Sequence, residues 1–185
     1  MDLGTSISRI SSGLDKAGVE YAVIGGIAMA MRGVQRATVD LDLLLMLSDL
    51  SQAHELLEQE GYARIFHSDD VSHYEKAGTG LFRIDILHAF RGPSLAMLGR
   101  ADRLVFPGAG TLPVLQIEDI VGLKIQALTN NPDRALGDWN DIHRLVDHAG
   151  KTQQPLDWDL IAEYLEIFEV AGMLTELKGL YETHF

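Results

Sequence analysis

The sequence of 185 residues contains no cysteine. Disulfide bonds, zinc sites built from thiolates and thiol nucleophiles are therefore excluded. There is no apolar run of about 18 residues, so we expect no membrane-spanning helix. The first residues lack a basic segment followed by an apolar block and do not resemble a signal peptide, so we expect a cytoplasmic protein.

Basic residues are also few. The chain has 15 Lys and Arg against 27 Asp and Glu, which gives a formal net charge of −12. This balance argues against a broad nucleic-acid surface, because phosphate contacts need clustered Lys and Arg, although a local basic pocket is compatible with it. Acidity also suits a protein that attracts divalent cations, but most acidic proteins are merely soluble. The length fits one domain, with or without a small addition.

The stretch that begins at Gly25 carries the strongest functional signal. Gly25 and Gly26 follow a short apolar run, and Asp40 and Asp42 lie farther on, where polar and apolar residues alternate. The alternation predicts a strand over residues 36–46, with both aspartates on one face. Two like charges on a mostly apolar strand are costly unless a cation lies between them. The pattern therefore indicates a divalent metal, and phosphate with it.

A third carboxylate, Asp85, interrupts an apolar segment that predicts a strand over residues 81–89. If this strand lies beside Asp40 and Asp42, three carboxylates converge and hold two metals, Mg²⁺ or Mn²⁺, about 3.5–4 Å apart for phosphoryl transfer. A lone Asp on a strand usually has a structural explanation, but three together favour a metal site. A structural calcium site is a further alternative, although calcium sites usually take their ligands from loops.

The Gly25-Gly26 pair lies at an expected turn from strand to helix. Backbone N–H groups at such a turn bind phosphate oxygens, and glycine allows close approach. A Gly-Gly turn alone often reflects tight geometry, so its value depends on the aspartates downstream. The spacing matches neither a Walker loop nor GxGxxG, which disfavours P-loop and Rossmann folds.

The pattern of hydrophobic residues changes near Ile117, from alternating helices and strands to helices alone. Residues 1–115 are therefore interpreted as an α/β core and residues 116–185 as a helical region packed on it. Ser48 is expected to cap a helix, and residues 78–80 to form a turn. Strands are expected at 21–24, 36–46, 62–67, 72–76, 81–89, 103–106 and 112–115. Helices are expected at 5–18, 27–32, 48–60, 93–100, 117–129, 132–148, 158–168 and 171–184, with a linker at 150–155.

A lysine interrupts the apolar face of the helix that begins at Ile117. At about 100° per residue, Lys124 falls near the centre of the face that contains Ile120 and Val121. Such a lysine either extends to solvent or binds an anion, for example a triphosphate or a catalytic carboxylate. In the next helix we expect Asp138 on the buried side and Asp141 toward solvent, which makes Asp138 the better candidate.

Three histidines lie at positions that suggest a site residue. His67 and His73 flank two aspartates and suggest a second metal site, but a polar loop is the better interpretation. His88 follows the strand that contains Asp85 and is a candidate for a place near the site. No serine lies in a nucleophile-elbow context, so Ser/His/Asp hydrolysis is not supported.

The motifs together resemble a known family. An apolar residue, Gly-Gly, thirteen residues and then Asp-Leu-Asp-Leu resembles the signature of the DNA polymerase β-like nucleotidyltransferase superfamily, with Asp85 as the third Asp on a later strand. The segment that runs from Arg36 to Asp42 is similar to the R-x-T-x-D-x-D form of minimal nucleotidyltransferases and of the AbiEii-type toxin family. The resemblance covers roughly residues 20–146.

Two later segments are similar to further motifs of the AbiEii-type family. Residues 124–128 resemble K-x-x-A-L, and residues 138–142 resemble R-D-x-x-D-L. Gly137 stands where the family usually has Arg, and Arg134, one turn earlier, is a candidate replacement. These motifs become specific only in combination with the first one.

The resemblance implies an α+β nucleotidyltransferase fold, with a mixed sheet flanked by helices and a C-terminal helical region. It implies Mg²⁺- or Mn²⁺-dependent transfer of a nucleoside monophosphate from an NTP to an acceptor hydroxyl or phosphate. Asp138 would orient Lys124 or the acceptor, and Asp85 would also help to deprotonate the acceptor. The metal ligands would be Asp40, Asp42 and Asp85. The residues that bind nucleotide would be Gly25, Gly26, Arg36, Thr38 and Asp141, with Lys124 neutralising phosphate charge.

The acceptor is left open by the sequence. The toxin resemblance implies a tRNA 3′ end or a protein side chain, with a cognate toxin or antitoxin partner, whereas other relatives modify small antibiotics. The net charge of −12 makes tRNA a less favourable acceptor, because tRNA is also negatively charged. An alternative is a non-catalytic nucleotide-binding or antitoxin-like partner module with the same fold. The presence of all three aspartates argues against that alternative.

Overall fold

The computed structural model describes residues 3–38, 40–76 and 82–185, with backbone only at Arg134. The turn expected at residues 78–80 therefore lies outside the described residues, as do Val39 and Leu81 of two expected strands. None of the helices in the described part of the chain is both long and apolar enough to cross a membrane.

The chain divides into two compact units. The sheet unit comprises Met1–Met31 and Gln35–Gln116, and the helical unit comprises Arg32–Val34 and Ile117–Phe185. The short segment Arg32–Val34 belongs to the helical unit because it packs there: a Cβ atom at Gly33 would overlap the ring of His148.

The sheet unit contains one mixed sheet. The strands found among its described residues are β1 (Tyr21–Ile24), β2 (Leu41–Met46), β3 (Tyr62–His67), β4 (Val71–Lys76), β5 (Arg83–Ala89), β6 (Asp102–Phe106) and β7 (Gly110–Val114). They lie in the order β3-β4-β5-β2-β1-β7-β6. The pairs β2–β5 and β1–β7 are parallel, and the other neighbours are antiparallel. The expected α+β class with a mixed sheet is confirmed.

The helices fall in both units. Those of the sheet unit are α1 (Leu3–Ala17), α2 (Gly25–Met31), α3 (Leu50–Gln59) and α4 (Gly92–Gly99). Those of the helical unit are α5 (Ile117–Asn130), α6 (Ala135–Lys151), α7 (Trp158–Ile167) and α8 (Met173–Glu182), with a short 3₁₀ turn at Pro132–Arg134 before α6.

Alternation along the strands decides which face of the sheet is apolar. Leu41 and Leu43 of β2 are buried and line one apolar layer with Ile7, Ile10 and Leu14 of α1. The spacing of three and four residues places the three α1 side chains on one side of that helix. The residues between them on β2, which begin with Asp42, therefore project from the opposite face.

The strand expected over residues 36–46 is shorter than predicted. β2 begins at Leu41, whose ladder partner is Ile84, and Asp40 precedes it. Residues 36–38 lie outside the strand. Polar–apolar alternation indicates that a segment can form a strand, but the ladder also needs a neighbour, and that neighbour β5 supplies partners only from Leu41 onward.

Ser48 does not cap α3, as the sequence had suggested. The helix begins at Leu50 after a 3₁₀ turn, so the N-cap residue is Asp49, and it makes no side-chain capping bond. Its carboxylate instead accepts a hydrogen bond at 2.9 Å from the backbone N–H of Glu20.

The linker expected at residues 150–155 is partly helical. The sequence predicts a helix end at residue 148, but α6 continues to Lys151. A Cβ atom at Gly150 would approach the carbonyl oxygen of Tyr181 to 2.7 Å. The glycine therefore permits close packing of α6 on α8 instead of ending the helix.

Candidate active site

The sheet unit brings together the three aspartates that the sequence singled out. Asp42 on β2 and Asp85 on β5 are direct partners in the parallel ladder. Strands in a ladder lie about 4.8 Å apart, and partners point to the same face. Asp40 precedes β2 closely enough for its charge to act on Asp42. Asp42 and Asp85 therefore form an acidic pair on the face opposite α1, and the charge of Asp40 acts on Asp42 from just before the strand. These three carboxylates are called the acidic group below.

The pKa of Asp42 shows how closely these charges are held. Burial is the main cause that raises the pKa of Asp42 from 3.8 to about 6, and the neighbouring charge of Asp85 is the second. A hydrogen bond from the backbone N–H of Gly26 acts in the opposite direction, Asp40 adds to the rise, and the positive charge of Arg36 lowers the pKa. The raised pKa of Asp42 thus reports its burial and the negative charge close to it.

The glycine pair shapes the other side of Asp42. Gly25 has a φ of +63°, and a Cβ atom at this position would overlap the carboxylate of Asp42. A Cβ atom at Gly26 would lie 2.8 Å from the Cβ of Thr38. The β1–α2 turn can therefore approach Asp42 and Thr38 this closely only because both residues of the turn lack side chains. Thr38 also holds Asp40, since its hydroxyl accepts a hydrogen bond from the Asp40 N–H at 3.3 Å.

The chemistry of the donors fits a hard divalent cation. Carboxylate oxygens are the ligands that Mg²⁺ and Mn²⁺ prefer, and a cation between Asp42 and Asp85 would relieve the repulsion that raises the pKa of Asp42. Within residues 3–38, 40–76 and 82–185, no group of three or more His, Asp or Glu side chains is already arranged to hold a metal ion. The aspartates therefore fit a divalent cation by their ligand type and their charge, and Asp42 and Asp85 also by their position on one face of the sheet.

His73 is a neighbour of this acidic group that the sequence placed on an expected strand, residues 72–76, but did not assign to the site. It lies on β4 as the direct partner of Asp85, and its Nδ1 is 2.6 Å from the Oδ1 of that carboxylate. The ring of Phe66 on β3 packs against the imidazole, with centroids 5.2 Å apart. The alternation of Ser72, His73 and Tyr74 was the available signal, because it marks a strand with His73 on the face opposite Tyr74.

His88 does not lie near the acidic group, contrary to expectation. It is three residues from Asp85 on β5, so it projects from the opposite face. There it is buried, and its Nδ1 donates to the carbonyl of Asp69 at 2.9 Å. Its Nε2 accepts from the Ser72 hydroxyl at 3.0 Å, and that oxygen accepts from Nδ1 of His67 at 2.9 Å.

The helical unit contains a second charged group. Lys124 on α5 is 7% exposed, and its Nζ lies 2.9 Å from Oδ1 of Asp138 and 2.7 Å from Oδ2 of Asp141 on α6. The expected position of Lys124 on the buried face is confirmed. Its partners are these two carboxylates, so the lysine is held by an ion-pair triad inside the helical unit.

The expectation that Asp141 faces solvent is wrong. Asp138 is 3% exposed and Asp141 is 4% exposed, so both belong to the buried stripe of α6. The expectation places Trp139 on the apolar face of the helix with Ile142 and Leu145, which turns the predicted buried side away from Asp141. Trp139 is only half-buried and packs on His143, with ring centroids 4.5 Å apart. Gly137 is exposed, and nothing lies within 4 Å of a Cβ atom built there.

Solved structures with the same fold include an antibiotic-resistance factor and an antibiotic adenylyltransferase. The antibiotic-resistance factor ANT(2″)-Ia is similar over 98% of this chain and 96% of its own, with 17% identity and a TM-score of 0.65. The same factor in complex with adenylyl-2″-tobramycin matches with 16% identity and a TM-score of 0.60, over 96% of this chain and 98% of its own. The lincosamide antibiotic adenylyltransferase LnuA, bound to lincomycin, has 15% identity and a TM-score of 0.50, over 71% of this chain and 89% of its own. At these identities the likeness shows the fold.

Comparison with curated proteins finds no match. A family model described as "Uncharacterised nucleotidyltransferase" matches residues 3–183, which is almost the whole chain. The resemblance to the nucleotidyltransferase superfamily is thereby confirmed, whereas nearness to the AbiEii-type toxins stays a prediction. With its three carboxylates gathered beside the glycine turn, the chain belongs to this nucleotidyltransferase family.

Proposed function

We propose that this protein transfers a nucleoside monophosphate from an NTP to the hydroxyl group of a small acceptor molecule and releases pyrophosphate, with Mg²⁺ or Mn²⁺ as cofactor. The observation that carries the proposal is the pairing of Asp42 with Asp85 beside the Gly25-Gly26 turn, in a member of a nucleotidyltransferase family. Such a reaction consumes NTP, which suits the cytoplasmic location expected from the sequence.

The carboxylates of the sheet unit would hold the metal. Asp42, Asp85 and Asp40 would supply the oxygen ligands, and the cation would supply positive charge to neutralise the triphosphate. Asp85 would be accessible as a base for the acceptor hydroxyl, because its side chain is 26% exposed.

The glycine turn and Arg36 would complete the nucleotide side of the site. Gly25 leaves the space that the Asp42 carboxylate occupies, and the N–H of Gly26 donates to that carboxylate. The glycines therefore position Asp42 as well as the phosphates that would bind beside it. The positive charge of Arg36 lowers the pKa of Asp42, so its guanidinium is close enough to neutralise charge on a bound phosphate.

A small acceptor has more support than a nucleic acid. The net charge of −12 repels a polyanion such as tRNA and attracts a cationic small molecule. Two structures of similar fold are of proteins that act on or bind antibiotics, and their lengths are almost fully covered by this chain. The alternative is that the acceptor is a protein or tRNA, which would suit a role in a toxin–antitoxin pair. The experiment below distinguishes these acceptors from a small molecule.

Labelling from each [α-³²P]NTP tests the proposal. Wild-type protein is incubated with Mg²⁺ or Mn²⁺ and, in separate reactions, with aminoglycoside and lincosamide antibiotics, with total tRNA and with a protein extract, while pyrophosphate release is recorded. We expect label on a small molecule and a loss of about 10³-fold in the double variant Asp42→Asn/Asp85→Asn. The exposed Asp70→Asn variant should label as the wild type does.

Undiminished labelling in the double variant would overturn the proposal. Label confined to tRNA or protein would keep the enzyme but change its acceptor class. Metal-dependent NTP binding in calorimetry without any transfer would favour the alternative of a non-catalytic nucleotide-binding partner module.

A further inference from the structure

One continuous row of side chains crosses four strands of the sheet. Phe66 on β3 is the ladder partner of His73 on β4, His73 is the partner of Asp85 on β5, and Asp85 is the partner of Asp42 on β2. Partners in a ladder share a face, so all four side chains lie on the face of the acidic group. The row therefore extends the candidate site from Asp42 toward the sheet edge at β3.

The hydrogen bond between His73 and Asp85 has a defined direction. An ionised carboxylate has no proton to donate, so Nδ1 of His73 carries the proton and donates to Oδ1 of Asp85 over 2.6 Å. Hydrogen bonds to a charged acceptor are among the stronger ones, and a short distance is typical of them. The bond occupies one oxygen of Asp85 and thereby fixes the direction in which the other oxygen points.

The imidazole is itself held in place. The ring of Phe66 packs against it at a centroid distance of 5.2 Å and an interplanar angle of 30°, while the side chain of His73 is 29% exposed. Asp85 needs such a support because the neighbouring Asp42 carboxylate repels it. Without a donor on the β4 side, rotation toward solvent would be the easiest way for Asp85 to reduce that repulsion.

We propose that His73 is a positioning residue of the nucleotidyl-transfer site: its Nδ1–H holds Asp85 so that the second carboxylate oxygen is presented toward Asp42 and the divalent cation. This inference rests on the proposed function. It concerns residues that the sequence motifs of the family do not include, since His73 lies between the Asp-Leu-Asp segment and the third Asp. Ligands oriented by a second hydrogen bond are common at metal sites, and loss of that bond typically costs about 10–100-fold in metal affinity.

Two substitutions separate a positioning role from a merely structural one. The amide nitrogen of Asn reaches the place of Nδ1, so His73→Asn keeps a donor for Asp85, whereas His73→Leu keeps the bulk and removes the donor. His73→Gln places its amide farther out, where Nε2 lies, and serves as a polar variant without the bond. His67→Leu is the matched control, because His67 also uses Nδ1 in a hydrogen bond but lies on the opposite face.

Binding of Mn²⁺ alone, followed by electron paramagnetic resonance, is the primary measurement. We expect the Kd of His73→Leu and His73→Gln to rise about tenfold or more, the Kd of His73→Asn to stay within about threefold of the wild type, and His67→Leu to bind as the wild type does. In steady-state transfer, kcat should fall in His73→Leu and His73→Gln and stay close to the wild-type value in His73→Asn and His67→Leu. KM for the NTP should stay constant in all four variants. Thermal melts of each variant show which proteins are folded, and His73→Gln replaces His73→Leu if the apolar variant does not fold.

Two results would overturn the proposal while leaving the proposed function intact. One is wild-type Mn²⁺ affinity in folded His73→Leu and His73→Gln. The other is an equal loss of affinity in His73→Asn, because the donor would then be irrelevant. Failure of the proposed function looks different: the wild-type protein itself would neither bind Mn²⁺ nor transfer nucleotide, and both ideas would fall together.

Discussion

Asp42 and Asp85 are ladder partners on neighbouring parallel strands, and the charge of Asp85 helps to raise the pKa of Asp42 to about 6. The folded protein therefore retains a proton that the unfolded chain releases near pH 3.8. The stabilising contribution of Asp42 is complete below pH 3.8 and is lost as the pH rises through about 6. At neutral pH the ionised Asp42 carboxylate is thus a source of instability.

Replacement of Asp42 by Asn should therefore stabilise the protein at pH 8 while abolishing transfer. The shift of about two pKa units corresponds to about 2–3 kcal/mol at pH 8 and to little difference at pH 4. Urea unfolding between pH 4 and pH 8 measures the difference in free energy of unfolding between the variant and the wild type. Asp70→Asn serves as the exposed control. If the difference for Asp42→Asn does not grow with pH, the raised pKa of Asp42 is contradicted.

Alanine at Gly25 should disturb the site more than alanine at Gly18. Both glycines have positive φ, +63° and +70°, so both substitutions carry the backbone strain of about 1 kcal/mol. Only at Gly25 would the new Cβ overlap the Asp42 carboxylate, since nothing lies within 4 Å of a Cβ at Gly18. We expect Gly25→Ala to cost about 1–3 kcal/mol more and to weaken Mn²⁺ binding, as measured by urea unfolding and calorimetry. Equal effects of the two variants would show that the close approach to Asp42 has no consequence.

Loss of Lys124 should be costly, because it leaves two buried carboxylates without their cation. Lys124→Met is expected to destabilise the protein by about 3–5 kcal/mol. Lys151→Met is the control: Lys151 pairs with Asp147 on the same helix, but its side chain is 59% exposed, so about 0–1 kcal/mol is expected. Chemical unfolding gives both values.

A triple variant tests the cause of that loss. Lys124→Met combined with Asp138→Asn and Asp141→Asn removes the uncompensated charges, and we expect it to recover much of the stability. If the triple variant is no more stable than Lys124→Met alone, packing of the lysine stem and not its charge is what matters at this position.

His88 should make the protein sensitive to mild acid. Burial is the main cause that lowers the pKa of His88 below its ordinary value of 6.5, and the carbonyl of Asp69 opposes it. The stability contributed by neutral His88 is therefore present above pH 6.5 and is lost as the pH falls through the lower folded pKa. In the neutral form the Ser72 hydroxyl donates to Nε2 of His88. Protonation of His88 turns Nε2 into a donor, so this hydrogen bond is lost in that direction.

His88→Gln should flatten the fall in melting temperature between pH 7.5 and pH 5. Ser72→Ala is the matched control, because it removes the hydroxyl from the same chain of hydrogen bonds but leaves the titrating ring. Ser72→Ala should lower stability by about 1–3 kcal/mol across the whole pH range, and its melting temperature should still fall in acid as that of the wild type does. If the melting temperature of His88→Gln falls as much as that of the wild type, groups other than His88 cause the acid sensitivity.

The sequence predicted the order of helices and strands because periodicity is a local property. Strand β1, for instance, lies where Tyr21 to Ile24 form an uninterrupted apolar run, and Lys124 was found on the buried face of its helix from spacing alone. The class of the fold followed from this order together with the motif around Asp40 and Asp42.

Features that depend on which elements become neighbours were not predictable in the same way. The bond between His73 and Asp85 requires the β4–β5 register, which no local pattern fixes across the intervening turn. The burial of Asp141 depends on the rotation of α6 about its own axis, and a helix face centred on the half-buried Trp139 predicts the wrong rotation. Ser48 had the composition of a cap, but the 3₁₀ turn before α3 moved the helix start past it.

The short segment Arg32–Val34 gives the chain an unusual connectivity. The backbone passes between the two units at residues 31–32, again at 34–35 and a third time at 116–117. Gene recombination at a single point near residue 116 would therefore not transfer the helical unit as a whole, because the new α6 would meet the old Gly33. Exchange of this region between relatives requires two segments to be inherited together, so residues 32–34 and the side chain at position 148 are expected to change in concert.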